Sequence, residues 1–272
     1  MTNIIFSIWT TPLNQGRWEI TDQLKYTLLY CAISSTFAKK YGCHTVMHCD
    51  SNVYDYLKKL PYDEVHCDLD NLGSAIKHTK PTNMWAASKQ YCFEQHGTGW
   101  VHIDNDVILG SEELVNILGN YKEDCIFQQV EIAQYTEKKM LKDQITTFDL
   151  MAYDYAACVG ILGFNNKELL DDYVGHYKYW MENLRLETDS KYIASDLILE
   201  QLYLYSRLDK YTGLPLIGDA STMELAEICE RATKLKYEHV IGQLKYQPQV
   251  LRKIEKRLMK ENEKVYNIWK GI

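Results

Sequence analysis

No stretch of the 272-residue chain approaches the roughly 20 consecutive apolar residues that a bilayer-spanning helix needs. The opening residues, MTNIIFSIWTTPLN, lack a basic start followed by a long apolar run, so the protein is expected to remain cytoplasmic. A surplus of positive charge is missing too. The formal net charge is -7, which argues against nucleic acid as a partner, because a phosphate backbone calls for a basic surface. The eight cysteines, at 31, 43, 49, 67, 92, 125, 158 and 229, contain no CxxC pairing and lie mostly in apolar segments. They read as buried thiols, not as a zinc or disulfide framework. Internal repeats, low-complexity tracts and Pro/Gly-rich linkers are absent, so nothing marks a domain boundary inside the first 246 residues.

What is present describes an ordinary globular core, with 46% hydrophobic and 25% charged residues. Apolar runs at Ile4–Trp9, Thr45–Cys49, around Val65, and at Trp100–Ile103 read as strands. Between them, Leu24, Leu28, Cys31 and Ala38 recur at helical spacing behind a cap at Thr21. A short helix is expected near Val53–Leu60, and another from Thr82, carrying Trp85 and Lys89. Strands alternating with helices predict an α/β fold with a mostly parallel sheet flanked by helices. Ala156–Leu162 reads as a further strand. Leu170, Tyr173, Tyr177 and Trp180 form a helical stripe, and Leu197, Leu199, Leu202 and Leu204 enrich the next segment. Residues 1–246 are read as one catalytic domain and 247–272 as an amphipathic basic helix. From Lys245 onward eight Lys or Arg face three Glu, so the rest of the chain carries -12. Such a helix suits either packing on the body or peripheral contact with an anionic inner membrane face.

The stretch Trp100-Val-His-Ile-Asp-Asn-Asp-Val-Ile places Asp104 and Asp106 directly after an apolar strand, with Asn105 between them. Ligands of open α/β sheets bind beyond the carboxyl ends of strands. Two carboxylates one residue apart can both turn toward one hard cation whose other positions take phosphate oxygens. A divalent metal there stabilises a departing diphosphate as a Lewis acid. The plain alternative is a turn, for which Asp and Asn are common. Near the end stands His239-Val-Ile-Gly242-Gln-Leu-Lys245: an imidazole able to bind metal, a glycine that lets backbone approach a phosphate, and a cation.

The H-x-x-G-x-x-K pattern with an upstream D-x-D resembles the retaining nucleotide-sugar transferases of glycosyltransferase family 8, and more broadly the GT-A superfamily with its Rossmann-like sheet. The resemblance runs from Ile5 to Lys245. It implies that Asp104, Asp106 and His239 bind Mn2+ or Mg2+, and that Gly242 and Lys245, beside Asn105, contact the diphosphate of a nucleotide-sugar donor. It also implies that Ile5 to Thr10, Trp9 and Thr10 among them, line the nucleotide base, that Asp50 is a nucleotide contact, and that Lys89 is a cation near the donor. For Lys89 and Asp50 the ordinary readings are a solvated helix lysine and a turn aspartate. Trp9 and Trp85 are the aromatic residues to test for donor or acceptor contact. Glu200-Gln201 is the nearest counterpart of the family's Asp-Gln pair near the reacting carbon. Retention would use Gln201 beneath the anomeric carbon, and inversion would use Glu200 or Asp196 as general base. Where the family has Asn-Ala-Gly and Lys-Pro-Trp, this chain has Cys158-Val159-Gly160 and Lys245-Tyr246-Gln247. Both departures leave the sugar and its acceptor (glycan, lipid-linked or protein) open. Hexosyl transfer in bacterial polysaccharide synthesis is the role implied. The competing readings are a haloacid-dehalogenase-like phosphatase with Asp104 as nucleophile, and a catalytically silent nucleotide-sugar-binding module.

Overall fold

The computed structural model describes residues 1–14, 22–133, 153–185, 197–240 and 242–272. Along the chain come β1 (Asn3–Ile8), a single turn α1 (Thr11–Asn14), α2 (Gln23–Lys40), β2 (His44–Cys49), α3 (Ser51–Leu57) and β3 (Glu64–Cys67). Then follow α4 (Ala87–His96), β4 (Val101–Ile103), β5 (Val107–Leu109), α5 (Glu112–Asn120), β6 (Cys125–Ile132), β7 (Tyr155–Phe164) and α6 (Lys167–Asn183). The last elements are α7 (Tyr203–Arg207), β8 (Gly213–Asp219), α8 (Leu225–Lys234), β9 (Tyr237–His239), α9 (Pro248–Glu261) and α10 (Glu263–Lys270). Seven strands form a sheet in the order β3-β2-β1-β4-β7-β6-β8, and β5 pairs with β9 in a separate ribbon. β2 runs parallel to both β1 and β3, and β6 is parallel to β8 but antiparallel to β7. This is the mostly parallel α/β architecture that the alternation of strands and helices predicts. No helix among the described residues is long and apolar enough to cross a membrane.

The chain divides into two compact units, one of Met1–Asp70, Ile103–Asn120 and Ala232–Ile272, the other of Asn71–His102 and Tyr121–Arg231. The first unit takes in the C-terminal segment 247–272 together with the first strands. In the first unit β1 is buried nearly throughout, with Ile4, Ile5 and Phe6 fully inaccessible, as a strand covered on both faces requires. α2 starts at Gln23 with Asp22 before it, and the expected cap, Thr21, lies outside the described residues.

The single C-terminal helix expected from Val250 to Trp269 is instead two. The break comes at Asn262, whose extended backbone ends α9 and whose side chain accepts the Val265 amide to start α10. Leu251, Ile254, Leu258, Val265 and Trp269 are all buried, and the Trp269 indole donates to the Lys25 carbonyl on α2. The apolar face that lipid docking needs is thus covered by the protein itself. Arg252, Lys253, Lys256 and Lys260 remain outward. None of the eight cysteines forms a disulfide. Six are buried, but Cys67 on the edge strand β3 and Cys229 on α8 are exposed, contrary to the reading of all eight as core.

In the second unit, Asn166 caps α6 by accepting the Leu169 amide, and the helix buries Leu170, Tyr173, Tyr177 and Trp180 as its spacing predicts. Leu197–Leu202 makes a π-helical turn that runs into α7. Burial, with a smaller push from the Arg207 charge, brings the imidazole of His176 on α6 down to about 3 from its ordinary 6.5. The folded state therefore resists a proton that the unfolded chain accepts. The stability is complete above pH 6.5 and is lost as pH falls toward 3. The expected loss is about 1.5 kcal/mol between pH 6.5 and 5. Urea denaturation of wild type and His176→Phe at both pH values checks this, and an equal acid-side loss in the variant would refute it.

Candidate metal centre

The apolar strand β4 ends at Ile103, and the chain turns sharply from Asp104, with the Val107 amide donating to the Asp104 carbonyl at 3.0 Å. Two neighbours clamp this turn. The Asn105 side-chain amide donates to the Ser7 carbonyl on β1 at 2.7 Å. The Ser34 hydroxyl on α2 lies 2.6 and 2.8 Å from the carbonyls of Asn105 and Val107. Within the hydroxyl run of α2, Ser35 and Thr36 bond back to carbonyls of their own helix, whereas Ser34 reaches out to the turn. The side chain of Asn105 thus braces the D-x-D turn.

The antiparallel ribbon supplies the third residue of the cluster. Val107 on β5 stands opposite His239 on β9, and the Val240 amide donates to the Asp106 carbonyl at 3.1 Å. That register sets His239 Nε2 at 3.3 Å from Asp106 Oδ1. Asp104, Asp106 and His239 each offer a ligand atom, all within 4.8 Å of one another. Beyond β9, Gly242 takes a left-handed backbone with φ of 61°, a conformation that costs glycine little. A 3-10 turn over Gly242–Tyr246 then returns Lys245 to the site, its Nζ 2.6 Å from Asp106 Oδ2 across 139 residues of sequence. The Tyr30 hydroxyl on α2 donates to the Lys245 carbonyl at 2.8 Å.

Asp106 is almost closed to solvent. Burial alone would raise its carboxyl pKa, but the Lys245 charge and His239 outweigh it and hold the group far below the usual carboxylate range. One oxygen faces the imidazole and the other the ammonium. Two carboxylates and an imidazole form a donor set that suits a divalent ion.

Other expected contacts are arranged differently. The Thr10 amide and hydroxyl both donate to Asp50 Oδ2, and Asn52 donates to the Thr10 hydroxyl at 3.0 Å. Asp50 and Thr10 are buried and tie the end of β1 to the end of β2, so Thr10 is satisfied internally and does not present itself to a base. Asp50 Oδ1 and the Trp9 indole nitrogen are buried with no hydrogen-bond partner among the described residues.

Lys89 is neither a solvated helix lysine nor an open cation. It is buried, donates to the Val159 carbonyl at 3.0 Å, and lies 3.5 Å from Glu200 Oε1. That same oxygen accepts from Gln90 at 3.1 Å and Tyr173 at 3.3 Å. Only 1% of Glu200 is exposed, so its carboxylate belongs to an interior network and does not face solvent as the general base of an inverting displacement would. Gln201 is buried beside it in the chain, and Asp196 lies outside the described residues. Sequence reasoning missed Ser34 and Tyr30. The run Ser34-Ser35-Thr36 inside an apolar helix hints at Ser34, and no such signal marks Tyr30.

Fold and site together define an α/β protein with a mostly parallel sheet and a candidate cation centre just past a strand's carboxyl end. The chain belongs to the family of unknown function DUF6734, whose family model matches residues 2–270. No curated protein matches it.

Proposed function

We propose that the chain is a divalent-cation-dependent glycosyltransferase that moves a sugar from a nucleotide-diphosphate donor to a glycan, lipid-linked or protein acceptor, with retention. The observation that carries this reading is the convergence of Asp104, Asp106, His239 and Lys245 on one point from distant stretches of sequence. Asp104, Asp106 and His239 would hold manganese or magnesium, which when bound supplies Lewis-acid stabilisation to a diphosphate leaving group. Burial of Glu200 with Lys89 leaves that carboxylate poorly placed as a base, which supports retention, in which the protein chiefly positions and stabilises charge. The phosphatase alternative asks Asp106 to act as an acid, and a carboxyl held ionised by a lysine is poorly suited to that. The silent-module alternative predicts binding without turnover.

Lys245 gives the reading its particular chemistry. Two carboxylates and one ammonium leave a single negative charge at the centre, too little to hold a bare divalent ion tightly, while an arriving diphosphate gains from both cations at once. Metal and diphosphate should therefore bind cooperatively. Thermal unfolding with UDP-, GDP-, ADP- and dTDP-sugars, with and without manganese, tests this, together with slow release of nucleoside diphosphate from the donor that binds. Stabilisation should require donor and manganese together. A flat response to every donor would sink the proposal.

A charge-removing variant gives a signed check. In Lys245→Met, manganese alone should bind several-fold tighter, since a nearby like charge is gone, and nucleoside diphosphate with manganese about tenfold weaker. Titration calorimetry reads both. A shift of both affinities in the same direction would contradict the assignment of Lys245 to the phosphate.

A further inference from the structure

We propose that a pocket between α6 and α7 in the second unit binds a neutral carbohydrate. The pocket is an open depression of about 390 Å³, within the range of roughly 300–1,000 Å³ typical of small-molecule sites. Behind it stands a stack in which the His176 ring lies on Tyr203, with centroids 3.4 Å apart and planes 7° apart, and the Arg207 guanidinium lies 4.4 Å from the centre of the Tyr203 ring. The Arg207 Nε donates to Asp172 at 2.8 Å, which fixes a planar donor beside a planar acceptor. Farther out, the Asp171 carboxylate is held by Lys167 at 2.6 and 2.7 Å.

The shape comes from Gly175. A Cβ added there would meet nothing within 4 Å, so the helix surface is notched at that point. One turn on, Tyr179 leaves half of its surface in solvent, and side chains on a helix lean toward the preceding turn, which sets its ring beside the notch. The result is an aromatic wall next to a gap, with a fixed donor and acceptor pair at its margin.

Charge selects the ligand class. Among the described residues, each carboxylate lining the pocket has a cation and His176 is held neutral, so these groups leave no net charge to draw in an ion. A charged ligand would have to break a formed pair. A wholly apolar one would cover the Asp172–Arg207 pair and strip its remaining water bonds without replacing them. A pyranose meets both demands. Its C–H face stacks on an aromatic ring, and its neighbouring hydroxyls donate to carboxylate and accept from guanidinium. The use of this pocket to hold a glycan acceptor rests on the transferase reading, whereas the binding itself does not.

The test uses the full chain without metal or nucleotide, titrated with neutral trisaccharides of glucose, galactose and N-acetylglucosamine at millimolar concentration. Calorimetry and saturation-transfer NMR are the readouts. At least one trisaccharide should bind. Gly175→Leu, which fills the notch, and Tyr179→Ala, which removes the wall, should each weaken it about tenfold at an unchanged melting temperature. Failure of all three sugars, or binding that survives both substitutions, overturns the proposal, as does a sialylated or amino sugar that binds more tightly than every neutral one. Asp104→Asn separates this idea from the transferase reading, because it should leave sugar binding intact. Manganese-dependent donor binding should likewise survive Gly175→Leu.

Discussion

Asp104→Asn is expected to erase the joint stabilisation of this protein by manganese and a nucleoside diphosphate. The wild-type chain, with ligand at a hundredfold excess over its dissociation constant, should gain about 2.7 kcal/mol by mass action, which for a chain of this size is a rise of several degrees in melting temperature. The variant should gain almost nothing. Asp104 is the right residue because it is partly exposed and sits outside the Asp106–Lys245 and Asp106–His239 contacts, so its change to Asn preserves those pairs. Differential scanning calorimetry at matched ligand concentrations reads the difference. Asp106→Asn removes a ligand too, but it leaves the Lys245 ammonium without its carboxylate, so part of its effect would be on folding. If Asp104→Asn is stabilised as fully as wild type, the cation is not held where the carboxylates and imidazole converge.

Lys89→Met is expected to destabilise the protein by about 3–5 kcal/mol, the cost of leaving a buried carboxylate without its cation. Glu200 keeps Gln90 and Tyr173 as hydrogen-bond donors but loses the Lys89 charge, and only 1% of it is exposed. The double variant Lys89→Met with Glu200→Leu should recover most of that loss, since removing both charges together is close to neutral. Chemical denaturation of the four members of this cycle provides the coupling energy. A loss below about 1 kcal/mol for Lys89→Met would mean that the pair opens to solvent, as an exposed ion pair is worth no more than that.

The legible part of this molecule was its periodic part. Apolar runs at Ile4–Trp9 and Thr45–Cys49 became β1 and β2, and the stripe from Leu170 to Trp180 became the buried face of α6, because period and burial are local properties of a chain. Boundaries were less legible. The helix expected from Thr82 begins at Ala87, after a 3-10 turn at Pro81–Asn83, and the C-terminal helix breaks at Asn262, where a cap interrupts an otherwise continuous pattern. Partnerships were hardest to see. The ordinary reading of Lys89 as a solvated helix residue rests on composition, and nothing in its neighbourhood of sequence announces Glu200.

The amino-acid sequence on its own determined the α/β class and the position of two aspartates at the end of a strand, since both follow from spacing along the chain. Tertiary structure alone decided that His239 and Lys245 close on those aspartates. Their meeting depends on the register of the β5–β9 ribbon and on the left-handed turn at Gly242, which bring together residues far apart in sequence. It likewise decided that Asn105 braces its turn, that Asp50 locks Thr10, and that Lys89 lies in the interior, because burial and partner choice are set by which surfaces meet once the chain has packed.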